Sequence, residues 1–128
     1  MRLLLDTHVL LWAAEGSPRL SAAARRLIGS EANELVFSAA SIWEIAIKSG
    51  LGREDFEADA GEVREALLEN GYKELAVGGN HAAAVAHLPA IHKDPFDRLL
   101  VAQAMIEGIV LVTADAGLAR YPGPIRKV

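Results

Sequence analysis

The chain has 128 residues and a mass of 13.7 kDa, so we predict a single domain over residues 1–128. Hydrophobic residues make up 52% of the sequence and charged residues 23%, a balance typical of a globular protein and not of a disordered chain. The sequence contains no cysteine, which excludes a disulfide framework, a thiolate metal site and a cysteine nucleophile.

The formal net charge is −4, which by itself does not indicate nucleic-acid binding. Much of the negative charge lies in residues 53–69, where we predict a solvated helix face. The rest of the chain is close to neutral and can carry a local basic patch.

The sequence predicts neither a membrane span nor an export signal. No stretch of about 18 residues is free of charged or strongly polar side chains. Arg2 precedes an apolar run that resembles a signal peptide, but Asp6, Thr7 and His8 interrupt that run. We therefore expect a cytoplasmic protein.

Short apolar runs alternate with helical segments along the chain. In order, we predict a strand at 3–5, helices at 9–14 and 22–28, a strand at 35–37, a helix at 39–48, an acidic amphipathic helix ending before Gly71, a strand at 75–77, helices at 81–87 and 95–107, a strand at 109–112, a helical turn near Leu118 and a strand near Ile125. The 95–107 helix is apolar nearly all round and should be the most buried. Continuous apolar strands between helices predict a three-layer α/β fold with a mainly parallel sheet.

Two predicted strands end in an aspartate. Asp6 follows the first strand and Asp115 follows the fourth, and ligands of open parallel sheets bind outside the carboxyl ends of the strands. Each aspartate taken alone is more readily explained as a helix cap. Asp94 and Asp97 open the 95–107 helix, where capping explains Asp94 but does not require Asp97.

Glu44 lies in the segment SIWEIAIK, within the 39–48 helix. One interpretation is an exposed pair with Lys48 one turn away, worth about 0.2–0.5 kcal/mol. The alternative is that Trp43, Ile45 and Ile47 bury this part of the helix, in which case the carboxylate requires a cation.

Other chemistries have less support. The sequence contains no glycine-rich phosphate loop, no HExxH motif and no nucleophile elbow. The four histidines lack zinc-site spacing; we predict His81 and His87 on helix surfaces, and His92 at the periphery of a site near Asp97. Three aspartates and one glutamate supply the oxygen ligands that Mg²⁺ or Mn²⁺ prefers, and such sites commonly catalyse phosphoryl chemistry.

Four segments, LLLDTHVLLW, SAASIWEIAIKSGLGR, HKDPFDRLLVAQA and LVTADAGLARY, together resemble the PIN-domain ribonucleases, and most of all the VapC-type toxins of type II toxin–antitoxin systems. The resemblance covers nearly the whole chain. It implies a parallel sheet of about five strands with acidic residues meeting at its carboxyl edge.

The resemblance also implies a function and a site. It implies an endoribonuclease that uses Mg²⁺ or Mn²⁺ and leaves a 5′-phosphate and a 3′-hydroxyl, is typically a homodimer, and is inhibited by an antitoxin protein whose tail lies across the acidic site. The metal ligands and catalytic residues would be Asp6, Glu44, Asp97 and Asp115, with the Thr113 hydroxyl nearby. Basic residues are expected to flank the site, and the chain offers Lys48, Arg53, Lys93, Arg98 and Arg120. Lys48 and Arg98 could instead neutralise the acidic cluster.

Three alternatives stay open at this point. A Mg²⁺-dependent phosphatase with Asp6 as nucleophile would normally have a second aspartate where this chain has His8. A receiver-like signalling module would need an acceptor aspartate after the mid-chain strand, where Ser38 stands. The third alternative is a PIN fold that binds its ligand without catalysis.

Overall fold

A computed structural model describes all residues, 1–128, as five strands, six α-helices and three short 3₁₀ turns. In chain order these elements are β1 (Arg2–Leu5), α1 (Thr7–Glu15), α2 (Ala22–Gly29), β2 (Glu34–Ser38), α3 (Ala39–Gly50), a 3₁₀ turn (Glu54–Phe56), α4 (Ala60–Glu69), β3 (Lys73–Leu75), α5 (Gly79–Ala84), a 3₁₀ turn (Val85–His87), α6 (Pro95–Glu107), β4 (Val110–Thr113), a 3₁₀ turn (Leu118–Arg120) and β5 (Ile125–Lys127). None of the helices combines the length and apolarity that crossing a bilayer requires.

All five strands form one parallel sheet in the order β3-β2-β1-β4-β5. The central strand is β1, which pairs with β2 on one side and with β4 on the other. Its residues Leu3, Leu4 and Leu5 are completely buried, as expected for a strand covered on both faces. The chain order reverses between β1 and β4, and this is where open parallel sheets bind their ligands.

Helices cover both faces of the sheet, which confirms the predicted three-layer α/β fold. On one face Leu3 and Leu5 pack with residues of α1, α2 and α4. On the other face Leu4 packs with residues of α6. Five consecutive residues of α6, Leu100–Ala104, are buried, more than in any other helix. Met105 and Ile106 are nevertheless exposed. One side of α6 therefore faces solvent, although the helix is apolar nearly all round.

Side-chain hydrogen bonds cap the two helices that lead into the candidate site. Asp6 Oδ1 accepts a hydrogen bond from the Val9 backbone N–H at the start of α1, at 2.9 Å. Asp94 Oδ1 accepts one from the Phe96 N–H at the start of α6, at 2.8 Å. Gly108 ends α6 with φ at +66°, a conformation that favours glycine. The capping predicted for Asp94 and Gly108 is confirmed.

Two sequence predictions on the β3 side of the molecule are wrong in detail. Strand β3 lies at Lys73–Leu75, two residues before the apolar run that predicted it, because this edge strand needs only Leu75 to contact the core. His81 is 4% exposed and not on the surface. Its Nδ1 accepts a hydrogen bond from the Gly78 backbone N–H, and its Nε2 lies 3.0 Å from Glu107 Oε2. His87 is exposed, as predicted.

The acidic segment largely behaves as predicted. Leu67 is the buried residue of α4, Val63 packs beside the core, and the acidic residues of the helix face solvent. Asp55 is the exception, because it reaches the rim of the pocket described next.

Candidate active site

The four acidic residues singled out in the sequence line one pocket of about 370 Å³ at the carboxyl edge of the sheet. Asp6 follows β1 and Asp115 follows β4, so the two lie on either side of the point where the strand order reverses. Glu44 comes from the second turn of α3, and Asp97 from the first turn of α6. The fold therefore brings together residues that are up to 109 positions apart in the chain.

Asp6 is buried, and both of its carboxylate oxygens accept hydrogen bonds. Oδ1 accepts from the Val9 N–H and Oδ2 accepts from the Thr113 hydroxyl. Burial raises the pKa of Asp6, and these two hydrogen bonds oppose that rise. Thr113 in turn accepts a hydrogen bond from the Asp115 backbone N–H at 3.0 Å, which ties the ends of β1 and β4 together.

Glu44 is only 2% exposed, so the interpretation as a surface pair with Lys48 is wrong. Its Oε1 accepts a hydrogen bond from the Thr7 hydroxyl at 2.5 Å, and the same hydroxyl lies 3.0 Å from Ser41 Oγ. Its Oε2 lies 2.5 Å from Lys48 Nζ. The structure therefore agrees with the second interpretation, in which Glu44 is buried and its carboxylate is paired with a cation.

The reason for the burial of Glu44 differs from the one predicted. Ile45 is fully buried, but Trp43 is 59% exposed and Ile47 is also exposed. Trp43 packs its ring edge-to-face against Phe96, with centroids 5.1 Å apart. Glu44 is thus buried because its own side of α3 faces the start of α1, whereas Trp43 and Ile47 face outward.

Lys48 is the positive charge inside the acidic pocket. Its Nζ contacts Glu44 and also lies 2.9 Å from Asp94 Oδ2, and it stands 4.9 Å from the centroid of the Phe56 ring. Burial opposes the charge on Lys48, but the hydrogen bonds to Glu44 and Asp94 outweigh it and raise the pKa of the ammonium group. Of the two roles considered for Lys48, the structure shows the pairing with acids of the cluster, namely Glu44 and Asp94.

Asp94 belongs to the site as well as to the helix cap. One oxygen caps α6, and the other accepts a hydrogen bond from Lys48. Burial would raise the pKa of Asp94, but the Lys48 hydrogen bond and charge hold it below the usual value. The sequence did not identify Asp94 as a site residue, because capping alone accounts for an aspartate before Pro95.

Asp97 is the carboxylate of the pocket whose negative charge is least offset by nearby positive charges and hydrogen-bond donors. Its nearest basic neighbour is His92, whose Nε2 lies 3.5 Å from Asp97 Oδ2. Burial raises the pKa of Asp97 to about 7, and the negative charges of Asp94, Glu44 and Asp6 contribute to that rise. A cation that entered the pocket would therefore be attracted most strongly at this position.

Asp115 is held from two sides. Its Oδ2 lies 3.0 Å from His92 Nε2, and its Oδ1 accepts a hydrogen bond from the Gly117 N–H at 2.7 Å. Burial opposes ionisation of Asp115, but the hydrogen bond from His92 and those from the backbone outweigh it and lower the pKa. His92 therefore lies in direct contact with the acidic cluster, closer than its predicted peripheral place.

The basic residues divide into two groups. Lys48 and Arg53 line the pocket, and Arg53 pairs with Asp55 at 3.2 Å. Lys93 and Arg120 are exposed and lie outside the pocket lining. Arg98 contacts none of the acids, so neutralisation, one of the two roles considered for it, is wrong.

Arg98 faces away from the pocket because it is one position further round α6 than Asp97. Its guanidinium donates hydrogen bonds to the carbonyl oxygens of Pro89 and Val85 and to the hydroxyl of Tyr121, at 3.0, 3.1 and 3.1 Å. These contacts hold the chain that leads into α6.

Arg19 also lines the pocket, and the sequence did not identify it. It lies between α1 and α2, in a segment without a recognisable motif. Lys48, Arg53 and His8 each pair with a carboxylate of the pocket, whereas the Arg19 guanidinium has no carboxylate partner. Arg19 is therefore the cation of the pocket that is free to contact an anionic ligand.

The donor atoms of the pocket suit a divalent cation that prefers oxygen. One oxygen each from Glu44, Asp94 and Asp97 lie within 4.8 Å of one another, and so do donor atoms of His92, Asp97 and Asp115. Asp97 is shared by both groups. Carboxylate oxygens at such spacing match the ligands of Mg²⁺ and Mn²⁺.

Comparison with known proteins agrees with this architecture. The PIN domain family model matches residues 3–124. Ribonuclease VapC22 of Mycobacterium tuberculosis is 34% identical over 125 residues, which is 95% of each chain. A chain in the crystal structure of VapBC2 from Rickettsia felis bound to a promoter DNA fragment superposes with a TM-score of 0.71 at 16% identity, covering 99% of this chain and 98% of that one.

A toxin–antitoxin complex from Klebsiella pneumoniae contains a chain that superposes with a TM-score of 0.64 at 17% identity, covering 98% and 99% of the two chains. At such identities these structures establish the likeness of fold alone. Together with the family match over nearly the whole chain and the relative at 34% identity, they confirm the resemblance found in the sequence, and the chain belongs to the PIN-domain family.

Proposed function

We propose that this protein is a metal-dependent endoribonuclease, the toxin of a toxin–antitoxin pair, that acts in the cytoplasm. The observation that carries the proposal is the cluster of Asp6, Glu44, Asp94 and Asp97 in one pocket at the carboxyl edge of the sheet, where Lys48 pairs with only two of the four acids. A divalent cation would supply the missing positive charge. The relative at 34% identity is named a ribonuclease, which supports RNA as the substrate.

Asp6, Glu44, Asp97 and Asp115 would hold Mg²⁺ or Mn²⁺. When bound, such an ion lowers the pKa of water and stabilises negative charge on a phosphoryl group. The protein's own part is to fix the ligands: Thr113 orients Asp6, while Thr7 and Lys48 hold the two oxygens of Glu44.

No side chain of the pocket is placed as a nucleophile. Hydrogen bonds to both oxygens of Asp6 fix its carboxylate and reduce its nucleophilicity, and the Thr7 hydroxyl is held by the hydrogen bond that it donates to Glu44. This arrangement favours attack by water, as in hydrolysis of an RNA phosphodiester, over the alternative of an aspartyl phosphatase. A PIN fold that binds without catalysis is distinguished by the cleavage assay below.

The RNA backbone would approach over the side of the pocket lined by Arg19. Its guanidinium has no carboxylate partner and can contact a phosphate, whereas Arg53 is already engaged by Asp55. Trp12 lines the same side and packs against the His8 ring, with centroids 5.8 Å apart. A base next to the scissile phosphate could stack there.

An antitoxin protein is the proposed partner. Structural relatives come from complexes described as VapBC or as toxin–antitoxin complexes. An antitoxin segment that covers the acidic pocket would exclude both RNA and metal from it.

A homodimer is proposed from the outer face of α3. Trp43, Ile47 and Leu51 lie one helical turn apart and are exposed, and Leu51 is exposed to 73%. Three large apolar side chains along one stripe are typical of a surface that another protein covers. Glu44 and Lys48 lie on the adjoining side of α3, about 100° round the helix from this stripe. A second copy bound to the stripe would therefore lie beside the pocket and leave its acidic residues uncovered.

Cleavage of a pooled small-RNA preparation by the antitoxin-free protein should require both a divalent metal and Asp97. We expect discrete products with Mg²⁺ or Mn²⁺, no products with EDTA, and a loss of about 100-fold or more in rate for Asp97→Asn. Asp59→Asn, an equally good cap on the exposed α4, is the matched control and should cleave normally. Metal binding without any cleavage of the pool would favour the binding-only alternative, and cleavage that survives EDTA would contradict the mechanism.

Metal should stabilise the protein, and Asp97→Asn should mimic part of that effect. Two carboxylates about 5 Å apart repel by roughly 3 kcal/mol at an effective dielectric constant near 20. We therefore expect Asp97→Asn to raise the free energy of unfolding of the metal-free protein by about 1–3 kcal/mol at neutral pH. Mn²⁺ at 100 times its Kd should stabilise the wild type by about 2.7 kcal/mol and the variant much less. Calorimetry measures both, and a wild-type Tm that ignores millimolar Mn²⁺ would count against the metal site.

Arg19→Ala should weaken RNA binding without abolishing catalysis. Loss of one phosphate contact should raise KM several-fold, leave kcat nearly unchanged, and reduce the slope of log Kd against log salt by about 0.7–0.9. Arg26→Ala removes the same charge from the exposed surface of α2 and serves as control. Equal salt slopes for the two variants would exclude Arg19 from the RNA path.

Leu51→Asp should convert a dimer into a monomer. Burying an unpaired carboxylate in the proposed interface would cost more free energy than the apolar contact of Leu51 contributes to dimerisation. Light scattering after size-exclusion chromatography should give twice the chain mass for the wild type and for Leu68→Asp, a control on α4, and the single chain mass for Leu51→Asp. A monomeric wild type would contradict the homodimer proposal.

A further inference from the structure

We propose that His92 is a positioning residue, a hydrogen-bond donor that holds the carboxylate of Asp115 in place beside Asp97, and that it is not itself a metal ligand. The inference rests on the proposed metal-dependent function. Distance alone would allow His92 to be a third metal ligand, because its ring nitrogen lies within 4.8 Å of donor oxygens of both acids.

The position of the proton on the His92 ring decides between donor and ligand. The Asp94 backbone N–H donates a hydrogen bond to His92 Nδ1 at 3.1 Å. A ring nitrogen that accepts a hydrogen bond carries no proton, so the proton of the neutral imidazole is on Nε2. A metal on Nε2 would force that proton onto Nδ1, where it would meet the Asp94 N–H. The backbone therefore opposes metal coordination by His92.

His92 Nε2 donates its hydrogen bond to Asp115, next to Asp97. It lies 3.0 Å from Asp115 Oδ2 and 3.5 Å from Asp97 Oδ2. Asp115 Oδ1 is already fixed by the Gly117 N–H. The donor from His92 thus completes the restraint on Asp115 and sets its distance to Asp97. The second lone pair of each carboxylate oxygen stays available for a cation.

The His92 backbone is itself held by a chain of hydrogen bonds. Its N–H donates to the Tyr121 hydroxyl at 2.9 Å, and that hydroxyl also accepts from Arg98. Tyr121 is buried in the core on the α6 face of the sheet. This chain gives Arg98 an indirect role at the site, although its guanidinium contacts none of the acids.

Gly117 leaves room for the ring. A Cβ atom at this position would stand 3.3 Å from His92 Cδ2 and 3.0 Å from Asp115 Oδ1. Both distances are tighter than ordinary contacts, so a side chain at Gly117 would displace the imidazole or the carboxylate that it holds. The Asp94 backbone, the buried Tyr121 and the loop at Gly117 thus restrict His92 to one orientation.

Substitutions of His92 separate a donor from a ligand by Mn²⁺ affinity. His92→Ala removes the donor and should weaken Mn²⁺ binding by about 10–100-fold, the loss usual for partners that orient metal ligands. His92→Gln places an amide N–H at a similar reach and should recover most of that affinity. His87→Gln alters an exposed histidine and should bind Mn²⁺ as the wild type does. Equal weakening by His92→Gln and His92→Ala would overturn the donor role.

Spectroscopy tests the same point without relying on affinity or activity. In ¹⁵N-labelled metal-free protein, the His92 ring, assigned by its disappearance in His92→Gln, should show the tautomer protonated at Nε2. The Mn²⁺-loaded protein should show no electron spin-echo modulation from a directly bound ¹⁴N. An Nδ1–H tautomer, or a ¹⁴N coupling that vanishes in His92→Gln, would overturn the inference. If Mn²⁺ does not bind at all, the proposed metal dependence fails, while the tautomer still decides whether His92 is the donor.

Discussion

The ammonium group of Lys48 lies between Glu44 and Asp94, and the arrangement of the rest of the pocket depends on this contact. Carboxylates that meet at one sheet edge repel each other, and burial raises the cost of each negative charge. Lys48 compensates two of them. Asp6 is stabilised by a hydroxyl and a backbone N–H, and Asp115 by an imidazole and the backbone. Asp97 has no hydrogen-bond donor of this kind and only His92 nearby, at 3.5 Å, so a cation entering the pocket would be attracted most strongly there.

The same residues that build the fold also build the site. Asp6 ends the central strand and caps α1, and Asp94 caps α6. Each cap uses one carboxylate oxygen, and the other oxygen accepts a hydrogen bond from Thr113 in Asp6 and from Lys48 in Asp94. A helix cap thereby fixes the backbone of an acidic residue at the carboxyl edge of the sheet, where a parallel arrangement of strands already brings the ends of β1 and β4 together.

The sequence predicts what depends on local chemistry and apolar pattern, and much less of what depends on tertiary contacts. Strands ending in Asp6 and Asp115, and a helix bounded by Asp94 and Gly108, follow from short segments. Lys48 and Arg98 both lie within a helical turn of an acid, yet one enters the pocket and the other holds carbonyl groups of a loop. A long side chain can reach several partners, so the packing around it determines which of them it contacts. No sequence motif marks Arg19. Its loop reaches the pocket only in the folded chain, so the sequence alone could not identify it.

The segment from His92 to Asp97 links the two halves of the pocket. The Asp94 N–H holds His92 and through it Asp115, on the β4 side. The carboxylate of the same residue caps α6 and holds Lys48, and through it Glu44, on the α3 side. Asp97 stands between these halves as the shared member of both donor groups. A change at Asp94 therefore alters both halves at once, and its effect cannot be assigned to the loss of a helix cap alone.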